Sequence, residues 1–212
     1  MSSGHDRQIP LLEEVFQRFP EKPINIEIKR DCDELIKKVS DLVKKYRRTE
    51  RTIWASTSDP VMKKCRKENP DMPFMFTPRR GIILLILYYT GLLPFVPLPE
   101  AVVETYMPSI INRTYFPHNA LMRNRFLVRL QDKLMMRKGL FQHLQARGIQ
   151  VYLWVLNQES DFQRAFDCGA TGVMTDYPSK LHRFIQKCEG EQRARGPEPQ
   201  EPAAEEGQQH RC

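Results

Sequence analysis

The sequence of 212 residues lacks the patterns that identify several large classes of protein. It contains no P-loop, no glycine-rich dinucleotide loop and no Ser-His-Asp order, so nothing in it supports a nucleotide-binding protein or a serine hydrolase. Its five cysteines are odd in number, lie far apart and form no CxxC pair. That pattern favours reduced thiols in a cytosol-facing protein over a disulfide framework or a zinc site.

The charge pattern also lacks the features of a nucleic-acid-binding protein. Thirty-three Lys and Arg against 26 Asp and Glu give a net charge of +7, which raises nucleic acid, anionic lipid and phosphorylated substrates as partners. The charges are spread along the whole chain, and no nucleic-acid-binding motif accompanies them. Nucleic acid is therefore not a predicted partner. The five histidines show no metal-ligand spacing, and the opening MSSGHDRQ has no signal-peptide core.

What is present is an alternation of strand-like and helix-like segments, in a composition of 41% hydrophobic and 28% charged residues that is typical of a folded protein. Alternating βαβ units predict an α/β fold with a parallel sheet. The predicted strands are 24–29, 52–56, 73–77, 151–157 and 172–176, with 109–116 as a candidate for one more. The predicted helices are 9–19, 33–48, one beginning at Asp59, 124–145, 160–168 and 179–188.

The ends of the chain differ in composition from its middle. Residues 1–8 precede the first helical pattern and are predicted to be disordered. From position 189 the sequence is rich in Glu, Gln, Pro, Ala and Arg and shows no hydrophobic period, so 189–212 is predicted to be a disordered tail. The single folded domain is predicted to span 9–188.

The segment 81–99 interrupts the alternation with a hydrophobic run that includes Pro94 and Pro97. It is borderline for a membrane span, which needs about 20 apolar residues, and the prolines argue against a straight helix through its end. One interpretation is a hairpin or helix that dips into one leaflet, with Arg79 and Arg80 at the headgroups and two tyrosines as anchors. The other interpretation is a core helix inside an insertion.

Polar residues at strand ends are the candidates for chemistry, because a parallel β/α barrel has its active site at the carboxyl ends of its strands. In the strand 24–29, Glu27 and Lys29 share one face and three isoleucines share the other. A Glu and a Lys together would suit a divalent cation and a phosphate oxygen. A solvated edge strand gives the same alternation, and both interpretations stay open.

Four motifs taken in order are more specific than any one of them. IPLLEE at 9–14, INIEIK at 24–29, VYLWVLN at 151–157 and GATGVMTDYPSKL at 169–181 closely resemble the glycerophosphodiester phosphodiesterase family, in particular its mammalian lysophospholipase D branch. The resemblance implies a TIM barrel and a divalent cation, Ca²⁺ or Mg²⁺. It also implies two histidines as acid and base, and a lysophospholipid or glycerophosphodiester substrate.

Carried over residue by residue, the resemblance makes Glu27 a metal ligand and Lys29 and Trp154 substrate-binding residues. The lysophospholipase D branch would release the head group and leave lysophosphatidic acid. It also implies contact with a membrane surface, at the endoplasmic reticulum or other cytoplasmic membranes. Asn157 matches a family position, and Asp176 matches an aspartate that we interpret as structural more than catalytic.

The sequence also departs from the family pattern. The family's His-Arg-Gly strand, Glu-Asn-Thr turn, Glu-x-Asp metal pair and second histidine are not found, and no catalytic histidine is assigned. We therefore expect an incomplete, N-terminally truncated TIM barrel with only the C-terminal strands, about five of eight. Such a chain is expected to be inactive alone, poorly stable, and unable to hold its cation tightly. The alternative is a non-catalytic membrane-binding fragment or regulatory isoform.

Overall fold

An arc of parallel strands forms the centre of the protein in a computed structural model that describes residues 8–111, 113 and 124–195. The strands form two parallel ladders, β1 with β2 and β3 with β4 and β5. Their bounds are β1 Ile24–Glu27, β2 Thr52–Ala55, β3 Val102–Tyr106, β4 Gln150–Trp154 and β5 Gly172–Val173. The predicted α/β class with a parallel sheet is confirmed.

A short extended segment joins the two ladders into one arc. Phe74 bridges to Trp54 of β2, and Met75 bridges to Val102 of β3, both in parallel. The Met75 amide donates to the Trp54 carbonyl at 3.0 Å, and the Phe76 amide donates to the Val102 carbonyl at 2.9 Å. The segment predicted as a strand at 73–77 therefore occupies the place between β2 and β3.

The arc is curled like part of a barrel wall. Flat strands lie about 4.8 Å apart, so β1 and β3, with two segments between them, would be about 14 Å apart in a flat sheet. Yet Asn25 Nδ2 on β1 donates a hydrogen bond of 2.7 Å to Glu104 Oε1 on β3. Two side chains can meet in this way only across a concave face, which fixes the inside of the curl.

Helices follow the strands and cover the convex face. Their bounds are α1 Leu12–Arg18, α2 Asp33–Lys45, α3 Asp59–Glu68, α4 Pro78–Tyr89, α5 Arg125–Met135, α6 Lys138–Ala146, α7 Glu159–Asp167 and α8 Pro178–Arg195. Single 3₁₀ turns occur at Thr49–Arg51, Leu93–Phe95 and Pro108–Ile110. In α2, Ile36, Val39 and Val43 lie three to four positions apart and are all buried, as an amphipathic helix requires.

Two hydrophobic clusters fill the space between strands and helices. The first cluster surrounds Trp54 and includes Phe16 of α1, Val43 of α2 and Cys65 of α3. The second cluster surrounds Leu153 and gathers side chains of β3, β4 and helices α4, α6, α7 and α8. Val102 of β3 belongs to the first cluster, so the two halves share a contact at their junction.

The strand predicted at 109–116 is wrong where the structure describes it. The strand lies earlier, at Val102–Tyr106, and Pro108–Ile110 form a 3₁₀ turn after it. Proline has no amide hydrogen to donate to a ladder, so Pro108 favours an end to the strand. Residue 112 and residues 114–116 of the prediction lie outside the described residues.

Two helix predictions also need correction. The helix predicted at 124–145 is divided into α5 and α6 by an interruption at Met136 and Arg137. The last helix continues to Arg195 instead of ending at Cys188, so residues 189–195 of the predicted disordered tail are helical. The rest of that tail and residues 1–7 of the predicted disordered start lie outside the described residues.

The hydrophobic run 81–99 has one face in the core and another in solvent. Leu84 and Leu93 are buried in the second cluster, whereas Ile86 is exposed and Phe95 is 81% exposed. The buried residues fit the interpretation as a core helix, and the membrane interpretation stays a prediction.

The interpretation that places both arginines at headgroups does not fit Arg80. Arg80 Nε donates to Glu100 Oε1 at 2.6 Å, and its Nη2 donates to Glu100 Oε2 at 3.1 Å. The Glu100 side chain is only 4% exposed, so this pair fastens the start of α4 to the protein.

Within the described part of the chain, no helix is both long enough and apolar enough to cross a membrane.

Candidate functional site

The concave face of the arc carries a row of polar and aromatic side chains near the carboxyl ends of the strands. Side chains at paired positions of parallel strands point to the same face, so Glu104 and Tyr152 face the same way, and so do Tyr106 and Trp154. Glu27, Tyr106 and Trp154 are the last residues of their strands. They therefore lie at the edge where β/α barrels have their active sites.

Glu27 and Lys29 meet at this edge as an ion pair. Lys29 Nζ lies 3.2 Å from Glu27 Oε2, so the prediction that the two share a face is confirmed. Both side chains remain accessible, with 76% of Lys29 and 40% of Glu27 exposed. An accessible ammonium next to a carboxylate can exchange its partner for an anionic ligand such as a phosphate diester.

Glu104 is the second carboxyl group on the concave face. Burial raises the pKa of Glu104, the hydrogen bond from Asn25 lowers it, and the negative charge of Glu27 raises it. Glu104 in turn adds to the effect of burial in raising the pKa of Tyr152. Glu27, Glu104 and Tyr152 therefore form one electrostatically connected group across the concave face.

Trp154 and Tyr106 form an aromatic wall beside these charges. Their ring centroids lie 5.9 Å apart with an interplanar angle of 59°. Gln131 Nε2 of α5 donates to Tyr106 Oη at 2.5 Å, and burial raises the pKa of that phenol. The wall gives a ligand an apolar surface at the carboxyl edge of the arc.

Asn157 and Asp176 connect the ends of β4 and β5. Asn157 Nδ2 donates to Asp176 Oδ2 at 3.0 Å, and the Asp176 amide donates to Asn157 Oδ1 at 3.0 Å. Thr175 Oγ1 donates to the same Asn157 oxygen at 3.0 Å. These bonds support the structural interpretation of Asp176, because they occupy its side chain in holding two loops together.

The described residues do not make a complete site for a divalent cation. Nowhere in the described ranges do three or more His, Cys, Asp and Glu side chains come close enough to hold a metal ion. Calcium takes six to eight oxygen ligands, and Glu27 supplies one carboxylate that is already paired with Lys29. The cation implied by the resemblance therefore does not fit these residues alone, and we derive no step through it.

The histidines in the described ranges do not lie at the strand ends. His143 belongs to α6 and His182 to α8, whereas His5, His118 and His210 lie outside those ranges. A general acid or base must come within about 3 Å of the proton that it moves. The candidate site as described thus combines an ion pair, a second carboxyl group and two aromatic rings.

Sequence reasoning identified Glu27, Lys29 and Trp154, and the structure brings all three to the same edge of the arc. It missed Glu104 and Tyr106 because it placed the intervening strand too late in the chain. The signal was present in VVETY, where alternate residues place Glu104 and Tyr106 on one face of a strand.

Comparisons with known proteins agree with this geometry. The family model "Glycerophosphoryl diester phosphodiesterase family" matches residues 1–180. The chain is 55% identical over 182 residues to Lysophospholipase D GDPD1 of Mus musculus, covering 86% of this chain and 58% of that protein. It is 50% identical over 182 residues to Lysophospholipase D GDPD3 of Homo sapiens, covering 86% of this chain and 57% of that protein.

The fold comparison gives the same result. A glycerophosphodiester phosphodiesterase from Agrobacterium tumefaciens superposes with a TM-score of 0.55 at 13% identity, over 84% of this chain and 62% of that structure. The parallel arc therefore matches part of that enzyme's fold. The chain spans about 58% of the length of the GDPD1 protein that it matches.

Proposed function

The chain belongs to the glycerophosphoryl diester phosphodiesterase family, and from that membership we propose that it acts in lysophospholipid hydrolysis of the lysophospholipase D type. The reaction cleaves the phosphodiester of a lysoglycerophospholipid, releases the head group and leaves lysophosphatidic acid. The observation that carries the proposal is the accessible Glu27–Lys29 pair at the carboxyl edge of a parallel arc, in a chain 55% identical to a lysophospholipase D.

Each site residue has a proposed role that follows from its chemistry. The Lys29 ammonium counters the charge of the phosphate, because it is accessible and already carries an exchangeable anionic partner. Trp154 and Tyr106 hold the glycerol backbone and the first carbons of the acyl chain against their rings. Glu27 contributes one carboxylate to a cation site whose other ligands do not come from the described residues.

We propose further that this chain does not turn over substrate by itself. Acid–base catalysis of a diester needs a proton donor within hydrogen-bond distance of the leaving oxygen. The described histidines lie on α6 and α8, and no three of the described His, Cys, Asp and Glu side chains come together to hold a cation.

Choline release from lysophosphatidylcholine tests the lack of turnover. The purified chain is assayed with Ca²⁺ or Mg²⁺, beside Glu27→Gln and the control Glu34→Gln, which changes an exposed glutamate on α2. We expect no release above the buffer rate from any of the three. Metal-stimulated release that is lost in Glu27→Gln and kept in Glu34→Gln would show that the chain is active.

Ligand binding tests the site independently of turnover. Titration calorimetry with glycerophosphocholine should give about tenfold weaker binding for Lys29→Gln, because a hydrogen bond to a charged group contributes about 1.5–3 kcal/mol. Lys63→Gln, a change of an exposed lysine on α3, is the matched control and should bind like the wild type. Equal binding by wild type and Lys29→Gln would remove Lys29 from the site.

The second candidate function is that of a non-catalytic membrane-binding protein, and the run 81–99 favours it. Ile82, Ile86, Tyr89 and Phe95 are exposed beside a face that packs in the core. Exposed apolar patches mark interaction surfaces. On this proposal the chain associates with the endoplasmic reticulum or other cytoplasmic membranes without hydrolysing lipid.

Liposome flotation tests the second candidate. We expect Ile82→Ser combined with Ile86→Ser to lower the floating fraction, and Leu35→Ser, an exposed change on α2, to leave it unaltered. An unchanged floating fraction in the double variant would remove the run from membrane contact.

A further inference from the structure

Helix α5 presents its apolar stripe to solvent and its polar residues to the protein. Phe126 is 70% exposed, and the stripe continues with Leu127, Leu130 and Leu134, all exposed. On the opposite face, Gln131 and Asp132 are bonded to the fold and lie beside the half-buried Val128 and Met135. Among the described residues of α5, none is buried. The helix therefore leaves a larger apolar surface in solvent than a core-packed helix does.

A basic stripe runs beside the apolar one. Arg125, Arg129 and Lys133 lie four residues apart and are exposed, so they form one line along the helix. Asp132, the acid in the helix, is turned away from this line and pairs with Arg164 of α7. An apolar stripe beside Lys and Arg is the pattern of a helix that lies in the interface of an anionic bilayer.

The contacts of α5 connect this surface to the candidate site and to α4. Gln131 donates to Tyr106 Oη at 2.5 Å, and Tyr106 contacts Trp154. Tyr89 Oη at the end of α4 donates to the Leu134 carbonyl at 2.9 Å, so the exposed side chains of the two helices adjoin. A bilayer surface that binds α5 would therefore also lie near Tyr106 and Trp154, the aromatic wall of the site.

We propose that α5 is a docking helix for anionic phospholipid surfaces. Phe126, Leu130 and Leu134 enter the acyl boundary, and Arg125, Arg129 and Lys133 pair with the anionic headgroups. Charge selects this occupant, because three cations line the stripe and a second copy of a chain with net charge +7 would be repelled. The inference goes beyond the proposed hydrolysis and does not depend on it.

Flotation of the full chain with two kinds of vesicle tests the proposal. Vesicles of phosphatidylcholine with phosphatidylserine should bind the wild type more tightly than vesicles of phosphatidylcholine alone. Changing Arg125, Arg129 and Lys133 to Gln should weaken binding to the anionic vesicles about a hundredfold, because each cation near such a surface contributes about 1 kcal/mol. Phe126→Ser with Leu130→Ser should weaken it by at least about tenfold, because two apolar side chains lose their burial.

Matched controls separate the helix from general charge and hydrophobicity. Lys22, Lys63 and Lys67 changed together to Gln remove the same charge elsewhere on the surface, and binding should fall less than about tenfold. Leu35→Ser with Ile185→Ser removes exposed apolar groups elsewhere and should leave binding unchanged. Circular dichroism should be the same for all variants, since every altered side chain is exposed.

Three results would overturn the proposal. One is equal loss of binding in the α5 charge variant and its charge control. Another is binding to the anionic vesicles that is kept in both α5 variants and lost in Ile82→Ser with Ile86→Ser. The third is that the wild type binds neither kind of vesicle but forms a dimer, and that Phe126→Ser with Leu130→Ser dissociates this dimer. That result would assign the stripe to contact with a second copy.

Discussion

The helices pack differently in the two halves of the arc. In the first half, up to the junction segment 73–76, α2 and α3 bury their apolar faces on the strands and leave charged residues outward. In the second half, α4 has apolar residues on both faces, and α5 has Phe126, Leu130 and Leu134 on its outer face. Helices α2 and α3 thus bury most of their apolar residues, whereas α4 buries Leu84 and α5 buries none of its described residues.

The buried side chains stabilise the fold, whereas the exposed side chains are available to bind a partner. Burial of Ile36, Val39 and Val43 stabilises the first half directly, because those side chains leave water when α2 packs. The exposed parts of the α4 and α5 side chains gain no such stability, and exposed apolar surface is typical of interaction sites. The first half supplies Glu27 and Lys29 to the candidate site, and the second half carries the apolar surfaces of α4 and α5 that meet the membrane in our proposals.

The largest expected effect tests whether the halves fold as one unit. Trp54→Ala removes a fully buried side chain of the first cluster and should cost about 3–5 kcal/mol. Because segment 73–76 bonds to both ladders, we expect thiol labelling of Cys65 and of Cys168 to accelerate together. Burial raises the Cys65 pKa to about 11, so its labelling reports opening of the first half.

Leu35→Ala is the control for this prediction, because Leu35 is exposed on α2, and labelling should stay near the wild-type rate. Acceleration at Cys65 without acceleration at Cys168 would show that the halves open separately.

A smaller effect is expected at the attachment of α4. Arg80→Ala leaves the carboxylate of Glu100 buried without its partner, and breaking a buried pair costs about 3–5 kcal/mol. The Arg80 side chain is 34% exposed, so solvent screening lowers the expected loss to about 2–3 kcal/mol. Arg79→Ala should cost less than about 0.5 kcal/mol, because Arg79 is 79% exposed. Equal losses in urea unfolding would contradict the assigned role of the buried pair.

The pH dependence of stability that arises from Glu104 on the concave face should be a smaller effect still. Burial raises the folded-state pKa of Glu104 above its ordinary value of about 4.5. The charged form is then less favoured in the folded protein, so stability falls as pH rises from the ordinary value through the raised one. Glu104→Gln removes this titration and keeps an acceptor for Asn25. Its urea midpoint relative to wild type should be higher at pH 7 than at pH 3.

The opposite trend, in which Glu104→Gln loses stability relative to wild type as pH rises, would show that Glu104 is favoured in its charged form. Glu50→Gln, a change of an exposed glutamate on the first-half surface, is the matched control.

The smallest effect on stability is expected at the candidate site. Lys29→Gln breaks an exposed ion pair, and such pairs contribute about 0–1 kcal/mol, so the urea midpoint should scarcely move. Together with weaker ligand binding, that result would make Lys29 a binding residue and not a structural one. A stability loss as large as that of Arg80→Ala would give Lys29 a structural role.

The sequence predicted the first half more closely than the second, for a physical reason. INIEIK alternates apolar and polar residues because one face of β1 packs against helices and the other lines the concave face. VVETY places Glu104 and Tyr106 on one face, but its two adjacent valines break the apolar–polar alternation, and it lies between a proline-rich run and Pro108. Because that strand was not predicted, Glu104 and Tyr106 were not predicted as site residues.

The division between α5 and α6 was not predictable from periodicity. Leu130, Leu134, Phe141 and Leu144 continue one helical stripe along the sequence, and a stripe does not say which environment it faces. In the fold the first two are exposed and the last two are buried, so the chain breaks between them. Gly139 fits the close approach there, since a Cβ would lie 3.0 Å from Tyr88 Oη. Only tertiary packing determines that turn.

The hydrogen bond from Asn25 to Glu104 can form only late in synthesis. Its partners are 79 positions apart in the chain. A ribosome that adds about 5–20 residues each second makes Asn25 roughly 4–16 seconds before Glu104. During that interval β1 can pair with β2, but the concave face has no opposite wall. The surroundings of Glu27 and Lys29 are therefore completed late in synthesis, after the wall that supports them has begun to fold.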